Sequence, residues 1–101
     1  MLHSKTIKIE CGEELDLDCF IEQLDDLGFE RVSQVCDAGQ FSLRGGIVDV
    51  YSFSSQHPFR IEFFGEQVDS IRTFDIVSQL SLEQKQSVEI LAVNHSTEIC
   101  T

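Results

Sequence analysis

At Gly28 the apolar rhythm of this chain changes, and that change decides which class of fold is open to it. Before the glycine, Leu17, Phe20, Ile21, Leu24 and Leu27 recur at helical spacing and mark one apolar stripe. Asp16 stands where an N-cap carboxylate accepts from the free amides of a first turn. Gly28 is suited to the left-handed conformation that ends a helix. The spacing predicts one helix over 16–27. After Gly28 the period falls to two, the repeat of a half-buried strand. One helix and a run of short strands predict an α+β domain, a small antiparallel sheet with the helix packed on it.

The strands divide at turn residues. "SKTIKIECG" alternates around Ile7 and Ile9 and reads as an edge strand. "FERVSQV", residues 29–35, places Phe29, Arg31, Ser33 and Val35 on one face and Val32 on the other. "CDAGQ" is a turn. "FSLR" and "GGIVDVYSF" are strands, with Gly45 and Gly46 forming a bulge or bend between them. Pro58 closes the loop "SSQHP" and suits the start of a strand. "LSLEQKQS" is expected as a helical turn or loop, "VEILAV" as a last strand, and residues 94–101 as a frayed tail. No repeat or linker divides the 101 residues, which suit one domain.

Residues 58–70, "PFRIEFFGEQVDS", contain a doubled phenylalanine. Neighbouring strand side chains point to opposite faces, so Phe63 and Phe64 cannot share a core. A two-residue loop at Gly65-Glu66 pairs Phe64 with Gln67 and Phe63 with Val68. Continued without interruption, that register sets Glu62 against Asp69 and Ile61 against Ser70. Phe59, Ile61, Phe63 and Val68 then face the core. Arg60, Glu62, Phe64 and Gln67 face water, with Arg60 expected to relieve the repulsion of Glu62 and Asp69. Phe64 is the exposed ring, two same-face positions on from Arg60. In "FSLRGG" the same alternation leaves Ser42 and Arg44 outside. An aromatic ring near arginines on a sheet face has the composition of an interface anchor; an ordinary exposed ring and surface ion pairs are the alternative.

Composition narrows the functions further. Eighteen acidic against seven basic residues give a net charge of −11, a poor basis for binding nucleic acid, where Lys and Arg must neutralise phosphates. Cys11, Cys19, Cys36 and Cys100 are widely spaced and form no CxxC, so the common zinc and dithiol signatures are missing. "RGG" is not a phosphate cradle, since neither GxGxxG nor GxxxxGK[ST] occurs. His3, His57 and His95 are scattered, and the carboxylates form no matched acid and base. Ser54, Ser55 and His57 share one loop without triad geometry. Catalysis by this chain alone is not expected. No secretory leader is read at its start, and no apolar run is long enough for a membrane helix; a cytoplasmic protein with reduced thiols is expected, in which Asn94-His95-Ser96 is a chance match to a glycosylation site.

Three ordered motifs carry a resemblance: "GQFSLRGGIVDVY", "RIEFFGEQVDSIRTFD" and "SQLS". The stretch around them closely resembles the UvrB-like second domain of transcription-repair coupling factors, the Mfd family, and the likeness extends over nearly the whole chain. UvrB carries the same domain with the same partner, so the UvrA-binding domain of UvrB is the alternative reading, with a nucleic-acid-binding accessory domain behind it. The resemblance implies a module, excised from a larger protein, that docks UvrA and recruits nucleotide-excision repair to stalled RNA polymerase. Two arginines and a phenylalanine of the family's docking site map onto Arg44, Arg60 and Phe64. The sequence departs from a whole coupling factor in having no Walker or helicase motif, so ATP, magnesium and translocation belong to other parts of the parent. No cofactor, membrane or direct nucleic-acid contact is expected here; partners are UvrA and the parent's other domains. "YSF" stands at 51–53 where relatives often carry "FP". Truncating Arg44, Arg60 or Phe64 is expected to weaken docking by about 1–3 kcal/mol and to leave stability nearly unchanged.

Overall fold

The apolar stripe before Gly28 folds as its spacing predicts. In a computed structural model describing residues 6–53 and 55–91, α1 (Leu17–Asp26) follows β1 (Thr6–Glu10). The Asp16 carboxylate accepts from the Asp18 amide, and Leu27 closes the helix ahead of Gly28. β2 (Glu30–Arg31), β3 (Gln40–Arg44), β4 (Ile47–Val50), β5 (Phe59–Phe64), β6 (Gln67–Phe74), β7 (Ser81–Lys85) and β8 (Ser87–Leu91) complete the domain.

The strands make two sheets rather than one. The larger has the order β2-β3-β4-β5-β6-β7, and β1 pairs with β8 in a separate ribbon. From β3 to β7 each strand runs antiparallel to the next, whereas β2 lies parallel to β3. Parallel neighbours need a crossover, so residues 33–38 leave the sheet and return, between Val32, which donates to Phe41 O, and Gly39, which accepts from Glu30 N. Only Glu30 and Arg31 of the expected 29–35 strand are therefore paired.

Helix and sheet meet through their apolar faces. Phe20 and Leu24 of α1, Val48 and Val50 of β4, Phe59 and Ile61 of β5, Val68 and Ile71 of β6, and Ile9 and Ile90 of the ribbon belong to one buried cluster. Burying such a side chain stabilises the fold by about 1.5–3 kcal/mol. Phe63 is half-buried and lies against Phe20, ring centroids 5.8 Å apart. The face of the large sheet that turns away from α1 carries a separate set of side chains.

The hairpin between β5 and β6 closes through Gly65-Glu66, with Phe64 opposite Gln67 and Phe63 opposite Val68. Gly65 has φ +63°, as a two-residue loop with glycine first requires. Beyond that point the uniform register fails. Glu62 lies opposite Ser70, not Asp69, and Ile61 opposite Ile71, not Ser70. Asp69 is an extra residue, a β-bulge. The cause is apolar spacing: Val68 and Ile71 are both buried yet three residues apart, an odd step that alternation sends to opposite faces. The extra residue restores Ile71 to the core. The neighbouring segment seals the bulge, since Cys11 Sγ donates to Asp69 O and Val68 exchanges backbone bonds with Gly12 and Glu13.

Of the two alternatives for Gly45 and Gly46 the bend is the one found, a tight hairpin loop with Arg44 opposite Ile47. One further expectation changes. Residues 81–85 form an edge strand, not a helical turn or loop. Ser81, Leu82, Glu83 and Gln84 are all exposed, so pairing with β6, and no apolar alternation, makes them a strand. The tail at 94–101, its glycosylation-like triplet, Cys100, His3, Ser54 and His95 lie outside the described residues.

Candidate docking surface

Strand pairing sorts the outer face of the sheet into rows. Ser42, Asp49, Arg60 and Arg72 form one row across β3 to β6, and Arg44, Ile47, Glu62 and Ser70 the next. One step further towards the hairpin tip stands Phe64, opposite Gln67. At that end Phe63 N donates to Gly46 O, so the β3–β4 loop rests against the end of β5.

Asp49 organises the first row. Its carboxylate accepts from Arg60 twice, Nε to Oδ1 at 2.8 Å and Nη2 to Oδ2 at 3.0 Å. Arg44 Nη2 approaches the same carboxylate at 3.5 Å. Arg60 Nη2 also donates to Gln79 Oε1 at 3.1 Å, and its guanidinium carbon lies 4.2 Å from the centre of the Phe74 ring. The hydrogen bonds to Asp49 push the Arg60 guanidinium above even its ordinary range, so it is charged at every pH the fold meets. A second ion pair links the two rows, Glu62 accepting from Arg72 Nη2 at 2.8 Å and, within its own row, from Ser70 Oγ at 3.0 Å.

Gln79 is held by the turn at 75–80. The Asp75 carboxylate accepts from Ser78 N, Asp75 O accepts from Gln79 N, and Asp75 N donates to Leu80 O. The hydrogen bonds from Ser78 to the carboxylate, first of all the one from its backbone N–H, hold the Asp75 carboxyl below its usual range.

The three residues singled out in the sequence share this face at different depths. The Phe64 ring is 78% exposed. The Arg44 side chain is 64% exposed, that of Arg60 only 16%. Arg60 therefore departs from the expectation of a fully exposed anchor. Nor does it sit between Glu62 and Asp69; Arg72 neutralises Glu62, and the bulge moves Asp69 out of the pair. Ser42, also expected outside, is buried. By strand spacing the Arg44 and Phe64 Cα atoms lie about 12 Å apart, two strands across and one row along, a span one partner surface covers.

Asp49, Arg72, Gln79 and Phe74 escaped the sequence reading. Asp49 did leave a signal, as the one acid inside the apolar strand IVDV. Elsewhere, the Ser55 hydroxyl donates to the His57 backbone carbonyl, not to its ring. An open groove of about 630 Å³ runs on the helix side of the sheet, lined by His57, Phe59, Leu82 and Lys85 among others, and includes none of the three. Among the described residues no group of His, Cys, Asp and Glu could hold a metal ion, and no helix is long and apolar enough to cross a membrane.

Comparison with known proteins places the chain in a family. The model of the UvrB interaction domain matches residues 7–95. The chain belongs to the UvrB interaction domain family. Similar proteins include coupling factors: the transcription-repair-coupling factor of Staphylococcus epidermidis is 44% identical over 88 residues, 87% of this chain and 7% of that protein. That of Staphylococcus aureus is 41% identical over the same length, with the same shares of the two chains, and that of Escherichia coli is 34% identical over 90 residues, 89% of this chain and 8% of that protein. The chain spans less than a tenth of the length of these relatives. It is a protein-interaction module of the coupling-factor type.

Proposed function

We propose that this domain docks UvrA through the outer face bearing Arg44, Arg60 and Phe64, and so recruits nucleotide-excision repair to RNA polymerase stalled at damage. The observation that carries the reading is Phe64. Its neighbour Phe63 turns inward against Phe20, while Phe64 stands in water at a hairpin tip beside the face that carries Arg44 and Arg60. A large ring in that position gives up unfavourable hydration only when a partner covers it. Full burial is worth about 1.5–3 kcal/mol, or about 10- to 100-fold in affinity. Arginine adds a planar fork of donors that carboxylates accept in pairs.

In this reading the domain brings no cofactor of its own. ATP and magnesium serve the motor of a cytoplasmic parent protein that displaces the polymerase, and this module supplies the contact with UvrA. Binding to duplex DNA is not part of the proposal, because a net charge of −11 opposes it. The test is titration of the domain with purified UvrA in the absence of DNA. Wild type binds, and Phe64→Ala weakens binding at least about tenfold with an unchanged melting temperature. Equal binding by Phe64→Ala, or DNA affinity that falls steeply with salt in place of UvrA binding, refutes the proposal.

A further inference from the structure

Asp49 is the one charged residue that is buried among the described residues, and two arginines converge on it. We infer that Asp49 is a positioning residue of the docking face: it makes Arg60 an internal strut and holds Arg44 at the rim, so that Arg44 rather than Arg60 meets a carboxylate of the partner. The inference rests on the docking reading above and assigns its two arginines different roles.

Donor use separates the arginines. A guanidinium has five N–H donors. Arg60 gives Nε and Nη2 to Asp49 and Nη2 again to Gln79, and its flat side covers the Phe74 ring. Only its two Nη1 donors are left, on a side chain that is 16% exposed. Arg44 touches Asp49 through one nitrogen at 3.5 Å, an ion pair too long to be a good hydrogen bond. The rest of its fork stands in solvent, restrained but unspent. Two guanidinium groups against one carboxylate leave one positive charge here, on a chain that is otherwise strongly acidic. A partner carboxylate meets this charge as the fourth member of the set. Because Asp49 already limits where Arg44 points, less side-chain freedom is lost on docking.

The variant Asp49→Asn gives opposite signs under two readings. It raises the local charge by one, so charge alone predicts tighter binding to an acidic partner. Positioning predicts weaker binding to UvrA, by about three- to tenfold, the range expected for re-immobilising one long side chain. Adding Asp49→Asn to Arg44→Ala then weakens binding no further than Arg44→Ala alone, since the acid acts through that arginine. Arg44→Lys keeps the charge and loses the fork, and falls to the level of Arg44→Ala. All variants are compared by titration against UvrA at a temperature where melting curves show them folded. Unchanged or tighter binding by Asp49→Asn overturns the inference, as does an additive double variant. If Asp49→Asn does not fold, Arg44→Lys decides, and binding within about twofold of wild type overturns it. If Phe64→Ala and Arg44→Ala both bind as wild type does, the docking reading itself has failed; if they weaken and Asp49→Asn does not, only the role of Asp49 has.

Discussion

Removing the Arg60 side chain tests the ion network directly. Arg60→Ala deletes two charge-assisted hydrogen bonds of 2.8 and 3.0 Å and leaves the buried Asp49 carboxylate with Arg44 at 3.5 Å. Stripping a buried ion of its partner costs about 3–5 kcal/mol. Arg44 remains close enough to offset part of that, and water enters where the side chain stood. The contact with the Phe74 ring adds about 0.5–1 kcal/mol. The net expectation is a loss of about 2–3 kcal/mol, which for a domain of this size lowers the melting temperature by about 10–20 °C. Arg44→Ala, which breaks an exposed pair, shifts stability by about 0.5 kcal/mol or less. Thermal melts followed by circular dichroism separate the two. A melting temperature for Arg60→Ala within about 3 °C of wild type would refute the assignment of Arg60 as a strut and restore the expectation that it is a free anchor.

Two further outcomes follow from the bulge and the 75–80 turn. Deleting Asp69 leaves Phe63 opposite Val68, Glu62 opposite Ser70 and Ile61 opposite Ile71 in one continuous register, so the variant folds with a loss of about 2 kcal/mol or less; in an uninterrupted register the same deletion turns one side of the strand inside out, and urea denaturation distinguishes the two. The Asp75 carboxyl titrates below the 3.8 of an unperturbed aspartate, readable by NMR. Because the folded value is the lower one, its contribution to stability is complete above about pH 4–5 and is lost as pH falls through the folded value, and Asp75→Asn abolishes that dependence.

The helix and the faces of the sheet were legible because both are written in spacing. The stripe from Leu17 to Leu27 and the pair Phe63-Phe64 follow from periodicity alone, and α1, the Gly65-Glu66 hairpin and the inward turn of Phe63 agree with them. β7 was illegible for the opposite reason. An exposed edge strand has no buried side to imprint a pattern, so Ser81 to Lys85 form a strand by pairing with β6. The bulge lay between these cases. Val68 and Ile71 announce it, because two core residues three apart cannot share a face of a uniform strand.

Depth is what alternation leaves out. It places Arg44, Arg60 and Phe64 on one face, but a face has a centre and a rim. Arg60 lies in the inner row, beside buried Asp49 and over Phe74, a residue near the far end of β6. Arg44 borders one hairpin loop and Phe64 another, where no further strand shields them. The same residue type thus serves two ends. An arginine with a buried acid opposite and an aromatic ring beneath becomes part of the fold, and an arginine at a strand end keeps its donors for a partner. The deciding residue is the acid: Asp49, set among valines in IVDV, cannot remain buried without a cation, and the arginine that satisfies it most fully, Arg60, is the one least able to leave it for a partner.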